Sequence, residues 1–320
     1  MLHVYPAYYP SFRCAADRCR HTCCAGWEVD IDAETLETYR AVPGGLGKRL
    51  ADAVDTDGEA PHFRLTAGER CPFLTERNLC DLILAGGEEL LCQICRDHPR
   101  FRSFLPGRTE TGLGLCCEAA AALILSQKEP IPLLCEGVED PEDEWAEAIL
   151  LLRDGIMSTI WNRSLSLDER MERILSACGA RLPDRAAADW AALFLRLERL
   201  DDAWTSVLNA LRSNGDLVDI KFFCSHMADR ESEYEQLLAY FLFRHFLKAY
   251  DDGDIGSKAA FAVLSTRLLR TIGAVHFAEH GSFTFADQVE YARMYSAEIE
   301  YSEDNLDALF DELCGADGET

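Results

Sequence analysis

Cysteine is the residue type in this 320-residue sequence best placed to do chemistry, with fourteen copies, ten of them in the first 117 positions. The first group reads Cys14-x4-Cys19-x3-Cys23-Cys24, followed by Ala25, Gly26 and Trp27. Four thiols this close can surround one metal centre, because a short irregular loop can turn its sulfurs inward. Adjacent cysteines rarely both ligate one ion, so Cys23 and Cys24 suggest two centres, or one ligand and one supporting thiol. The second set is more dispersed: Cys71, Cys80, Cys92-x2-Cys95 and Cys116-Cys117. Thiolate-only sets suit zinc or an iron–sulfur cluster, and ligand type alone does not choose between them. His21 and His98 sit among the thiols and read as supporting or solvent-facing groups rather than ligands. Cys135, Cys178, Cys224 and Cys314 fall in helical patterns and read as small core residues.

A disulfide framework would need an oxidising compartment. The N-terminus has no basic segment followed by an apolar run, so a reduced, cytoplasmic chain is expected, with metal ligation as the use of its thiols. The most apolar helical stretch, residues 237–250, is interrupted by Arg244, His245 and Lys248, too soon for a membrane span. The formal net charge is −25, with 31 basic against 56 acidic residues. Such a chain repels nucleic-acid phosphates and anionic membrane surfaces, so neither is expected as a partner.

The elements that must position these residues divide the chain. Residues 1–125 carry 13 basic and 18 acidic residues, and residues 126–320 carry 18 and 38. Cysteine density falls at the same place, which sets a boundary at 128. Residues 1–128 read as an irregular cysteine-rich metal-binding module, dependent on a metal for its fold. Its helical signals are short: one starts at an Asp32 N-cap and another runs from Cys116 to Leu125. Residues 129–320 read as an α-helical domain. Trp145, Ile149, Leu152 and Ile156 recur at helical spacing, as do Trp190, Leu193, Leu197 and Leu200, and the stretches 231–250, 257–275 and 284–299 follow suit. No alternating run suggests a central sheet, so the expected fold class is mainly α. The PGGLGK stretch ending at Lys48 fails the phosphate-loop spacing and reads as a turn.

The succession CxxxxCxxxCCxGW (14–27), CPFL (71–74), LC (79–80), CxxxPR (95–100) and LCxEA (115–119) resembles the flagellin lysine-N-methylase family and the wider set of cysteine-rich zinc- or iron-chelating domains related to it. YFLFRHFLKAYDDGD (240–254) and YSAEIEYSEDNLDAL (295–309) resemble that family's late helical region and terminal acidic motif, so the likeness runs over essentially the whole chain. It implies methyl transfer from S-adenosylmethionine to lysines of flagellin, and an iron–sulfur cluster of the 4Fe-4S type. It also implies metal-site roles for Cys14, Cys19, Cys23, Cys24, Cys71, Cys80, Cys95 and Cys116. Cys92 and Cys117 lie beside the pattern. Glu298, Glu300, Glu303 and Asn305 match the terminal motif, whereas Tyr301 stands where the family has a His.

Two expected cofactor signatures are missing. No glycine-rich loop offers a Rossmann-type cradle for S-adenosylmethionine, and Gly26 stands where a CxxxCxxC triplet needs its third thiol. The cofactor then binds in an unfamiliar helical site, or an open iron position helps to hold it. The chemistry itself requires a neutral amine, and so either a base or a dry pocket. Glu298, Glu300 and Tyr301 are the candidate catalytic residues, against the plainer reading that these acids line a solvated helical face. The competing functions are a non-enzymatic zinc- or iron-chelating protein and an iron–sulfur redox protein.

Overall fold

The computed structural model describes residues 1–15, 18–24, 26, 29–58, 60–77, 79–138 and 143–314. Ala25 and Trp27 of the first cysteine motif lie outside the described residues. The chain is mainly α, as the helical periodicities predict. It forms two compact units. One consists of Met1–Phe12, Phe101–Cys116 and Ala120–Thr320, and the other of Arg13–Arg100 with Cys117–Ala119. The cysteine-rich unit is therefore inserted into the helical one, and the units do not part at residue 128.

A small sheet explains the insertion. Strand Leu2–Pro6 pairs in parallel with Arg108–Leu113, Val4 opposite Glu110, and antiparallel with Leu133–Gly137, Val4 opposite Cys135. Arg100–Leu105 adds an outer strand beside Arg108–Leu113. The absence of a sheet expected from the sequence is thus corrected. RTETGL and LHVYP carry too little alternation to announce strands, and their register is set by partners about a hundred positions away.

The cysteine-rich unit is more ordered than its thiol-and-loop composition suggests. Asp32 starts the helix Ala33–Ala41, accepting hydrogen bonds from Thr35 N (2.9 Å) and Thr35 Oγ1 (2.8 Å). Its carboxylate also accepts from Gln93 N at 2.8 Å, so one side chain fixes the entry to two helices, the second being Gln93–Asp97. PGGLGK is not merely a turn, because the helix Gly44–Ala53 begins within it. A Cβ on Gly47 would stand 1.9 Å from the Val42 carbonyl oxygen, so only glycine fits there. Ile31, Tyr39, Leu50, Phe63, Phe73 and Leu82 form an apolar core that includes the thiols of Cys71 and Cys92.

In the helical unit, Ile255–His280 is buried along most of its length, as befits a helix apolar on nearly every face. It packs against Leu167–Ala177, Asp202–Asn214, Ser232–His245, Phe285–Tyr295 and Glu303–Cys314. The stripe in Glu144–Ile160 buries Ile149 and Ile156 but leaves Trp145 partly exposed. The second stripe breaks early: its helix is Ala187–Phe194, and Leu200 lies beyond it, exposed. Aspartates open many of these helices. Asp143, Asp201, Asp219 and Asp254 accept from the backbone N–H of Ala146, Ala203, Phe222 and Ser257, and capping boxes start Leu167–Ala177 and Phe285–Tyr295. Part of the acidic excess after residue 126 is therefore helix capping.

The reading of the four distant cysteines as core residues is also corrected. Cys135 lies on a strand and Cys314 at a helix end, both exposed, while Cys178 and Cys224 are half-buried. Among the described residues, no helix is long and apolar enough to cross a membrane.

Candidate functional site

The cysteine-rich unit gathers six thiols within electrostatic reach of one another: Cys23, Cys24, Cys71, Cys80, Cys92 and Cys95. Local structure aims them. Cys80 and Cys92 are the N-cap residues of Asp81–Gly86 and Gln93–Asp97. Cys71 is tied to the first cluster by its N–H donating to Cys24 O at 2.9 Å, and the Leu74–Cys80 bridge brings in the next thiol. Tyr39 donates its hydroxyl proton to Leu90 O at 2.8 Å, and that hydroxyl lies 3.3 Å from Cys92 Sγ.

Cys23 Sγ and Cys24 Sγ are 3.8 Å apart. The hydrogen bond from Cys24 stabilises the Cys23 thiolate and brings its pKa down to about 7, while the shared proton and burial push Cys24 up. Cys92 and Cys95 behave as a second such pair, Cys92 lowered by its bond to Cys95 and Cys95 raised. Burial pushes Cys71 up to about 11. The donor set is thiol-only and partly desolvated, with Cys23 and Cys92 the thiols eased toward the thiolate, which fits zinc or an iron–sulfur centre. About 3.8 Å is also the sulfur–sulfur edge of a tetrahedron with 2.3 Å metal–sulfur bonds. Among the described residues, no three or more His, Cys, Asp or Glu side chains already stand in a ligating arrangement.

The eight cysteines singled out by the family pattern are thus distributed in three places. Cys23, Cys24, Cys71, Cys80 and Cys95 come together. Cys19 lies within electrostatic reach of Cys117, Cys14, Glu118 and also Cys23, so it adjoins the main group, and its thiol is pushed up to about 11, chiefly by burial. Cys116 belongs to the helical unit, where it shares a hydrogen bond with the Tyr301 hydroxyl. Cys92, which lies beside the pattern, stands inside the main group. Its signal was the CxxC spacing with Cys95.

The helical unit holds a second constellation around the terminal motif. Phe285–Tyr295 runs into a π-helical turn, Ser296–Glu300, a local irregularity often found at functional sites. Glu300 is 4% exposed and bonds Tyr240 Oη (3.0 Å), His245 Nε2 (2.6 Å) and Arg244 Nε (3.3 Å). Arg244 also donates to Tyr240 Oη at 2.7 Å, and its guanidinium lies over the rings of Phe101 and Tyr301 at 4.9 and 4.7 Å. Burial lowers the His245 pKa to about 4, so the ring is neutral and gives its Nε2 proton to Glu300. Desolvation opposes ionisation of Glu300, but Arg244 and the His245 hydrogen bond outweigh it and keep the carboxyl below its usual range. Arg244 and His245, visible in the sequence as interruptions of an apolar helix, are the partners that make this buried acid tenable.

This constellation corrects the solvated-face reading. Glu298 is buried and accepts from Leu200 N at 2.8 Å. Asn305 accepts from Glu198 N (3.0 Å) and donates to Glu198 O (2.9 Å) and Glu298 O (2.8 Å). Both side chains pin the loop that follows Ala187–Phe194. Glu303 alone of the matched acids is exposed. Tyr301 is 46% exposed, but burial of its hydroxyl and the hydrogen bond to Cys116 push its pKa up, so the phenol is a poor base.

Residues 194–316 match the model of the FliB lysine N-methylase C-terminal domain. The late helical part of the chain is thus similar to the lysine-N-methylase family, in line with the resemblance of the terminal motif. Over 134 residues, 40% of this chain, it is 25% identical to Lysine-N-methylase of Salmonella typhimurium and to that of Salmonella choleraesuis. It is equally similar to Flagellar biosynthetic protein FliU of Salmonella muenchen. The matched stretch spans about a third of the two methylases (33%) and 79% of FliU. No solved structure matches the chain.

Proposed function

We propose that the chain is a protein-lysine N-methyltransferase that takes its methyl group from S-adenosylmethionine, acts on flagellin and carries an iron–sulfur cluster. The match of residues 194–316 to the FliB lysine N-methylase C-terminal domain carries this reading. The names of the relatives support a flagellar substrate.

When bound, S-adenosylmethionine supplies an electrophilic sulfonium methyl; the substrate contributes a neutral lysine amine. The carboxylates of Glu298 and Glu300 are committed to Leu200 N–H and to Tyr240, Arg244 and His245, so neither has a free face for the lysine proton. Desolvation of the amine therefore does most of the work of lowering its pKa, with Tyr301 as the remaining side chain in reach of solvent. The cluster would be held by four thiolates drawn from Cys23, Cys24, Cys71, Cys80, Cys92 and Cys95, and a zinc site would draw on the same set. A cytoplasmic location is part of the proposal.

Incubation of anaerobically purified protein with S-adenosylmethionine and flagellin, followed by intact-mass measurement, tests the activity. Flagellin should gain mass in steps of one methyl group, and an unchanged mass with the metal centre intact would defeat the proposal. A brown protein containing iron supports the cluster, whereas a colourless one with stoichiometric zinc replaces it by a zinc site.

A further inference from the structure

The small sheet of the helical unit ends in a strand whose outer edge is open. Leu133–Gly137 comes last in the strand order, paired with Leu2–Pro6 on one side and, among the described residues, with no strand on the other. The register fixes which of its backbone groups face outward. Ala7 N donates to Pro132 O at 2.9 Å, which makes these two residues a hydrogen-bonded pair. Such pairs recur at every second residue of an antiparallel ladder. Leu134 and Glu136, opposite Tyr5 and His3, therefore turn their N–H and C=O groups toward the partner strand. Leu133 and Cys135 aim theirs away from the sheet. Neither lysine nor proline guards this edge from within the strand, and Leu134, Cys135, Glu136 and Gly137 are all exposed.

We infer that this edge takes up an extended, lysine-bearing segment of the protein substrate as an added strand, main chain to main chain at Leu133 and Cys135. That the segment belongs to the methyl acceptor rests on the methyltransferase reading; the open edge itself does not. Charge selects the occupant. Residues 136–144 contain six acids and no basic residue. A second copy of the chain, itself carrying −25, would set like charge against like, whereas a basic segment is attracted. The side chains refine the choice. Leu134 and Glu136, two positions apart, share one face of the sheet. Leu134 is 41% exposed, and the exposed Glu136 carboxylate accepts the Tyr5 hydroxyl proton with room for a further donor. A segment with an apolar residue beside Leu134 and a lysine two positions away beside Glu136 pairs apolar with apolar and cation with anion.

The test is fluorescence anisotropy of labelled acetyl-Thr-Val-Thr-Lys-Thr-Val-Thr-amide, and of a counterpart with glutamate for lysine, titrated with the whole purified protein. The lysine peptide should bind about fivefold more tightly. In its presence, hydrogen exchange should show the Leu133 and Cys135 amides newly protected. Cys135→Pro removes an outward N–H without touching the ladder to Leu2–Pro6, and should weaken binding about tenfold. Cys135→Val, which keeps that N–H, should bind as the wild type does. Glu136→Gln should erase the preference for lysine, and it tests the same edge if the proline variant does not fold. Absence of binding at about 1 mM, equal binding of the two peptides, or full binding by folded Cys135→Pro overturns the inference. A dimer in sedimentation that Cys135→Pro dissociates also overturns it, giving the edge to a second copy. Selective binding of the lysine peptide without methylation of flagellin leaves the edge standing and removes the enzyme. Flagellin methylated at the wild-type rate by Cys135→Pro keeps the enzyme and removes the edge from its substrate's path.

Discussion

Glu300 is acidic by sequence and structural by environment. Its charge is balanced by Arg244, and its second neighbour, His245, stays neutral at 1% exposure. Glu300→Gln would strand Arg244 in the interior, and breaking such a pair costs about 3–5 kcal/mol. Urea unfolding of the variant should show a loss of that order. His245 adds a pH dependence of definite sign. In the unfolded chain its ring takes a proton near 6.5, but in the fold only near 4. Between those values the unfolded state binds more protons, so stability falls as pH drops from about 6.5 to 4, by about 3 kcal/mol in total. Urea midpoints at pH 7 and pH 5 check this, and His245→Gln should flatten the slope. Among the thiols, Cys92→Ser should lower metal content as much as Cys95→Ser. Full metal retention in Cys92→Ser would place that thiol outside the ligand set despite its position. The terminal motif was legible as a pattern, but its role was not. The resemblance marks Glu298, Glu300 and Asn305 as members of a motif, whereas only the fold reveals Leu200 N–H, Glu198 and Arg244 as their partners.

At the scale of elements, the local rules were the readable ones. The Asp32 cap and most helices after residue 142 follow from side chains within four positions and form where the pattern puts them, except that Ala187–Phe194 ends short of Leu200. What failed were the strands, whose partners lie far off in the sequence, and the helix that opens within PGGLGK close against Val42. Gly47→Ala should therefore destabilise the cysteine-rich unit by about 1–3 kcal/mol, since its methyl has no space beside the Val42 carbonyl. Asp32→Ala removes the caps of two helices, about 1 kcal/mol each. Thermal melts of both variants measure these losses, and a wild-type midpoint in Asp32→Ala would show that neither cap matters.

For the whole molecule, the net charge of −25 has a partly internal explanation in capping aspartates. The remainder is suited to a lysine-bearing partner by simple attraction, which added salt should weaken. If the thiols hold a metal, a strong chelator should open Arg13–Arg100 to protease while fragments of the helices after Asp143 persist. Equal digestion with and without chelator would show that the apolar core around Tyr39 and Phe63 suffices on its own. The order of synthesis gives the insertion a further meaning. Strand Leu2–Pro6 is interior to its sheet, yet it leaves the ribosome before both partners, Arg108–Leu113 and Leu133–Gly137. At ribosomal speeds that interval is on the order of ten seconds. During it, the whole thiol-bearing segment emerges and can begin to fold while that strand still waits, unpaired, for a neighbour. A fusion placed ahead of Leu2 that slows or shields that strand would thus act on a late step of assembly.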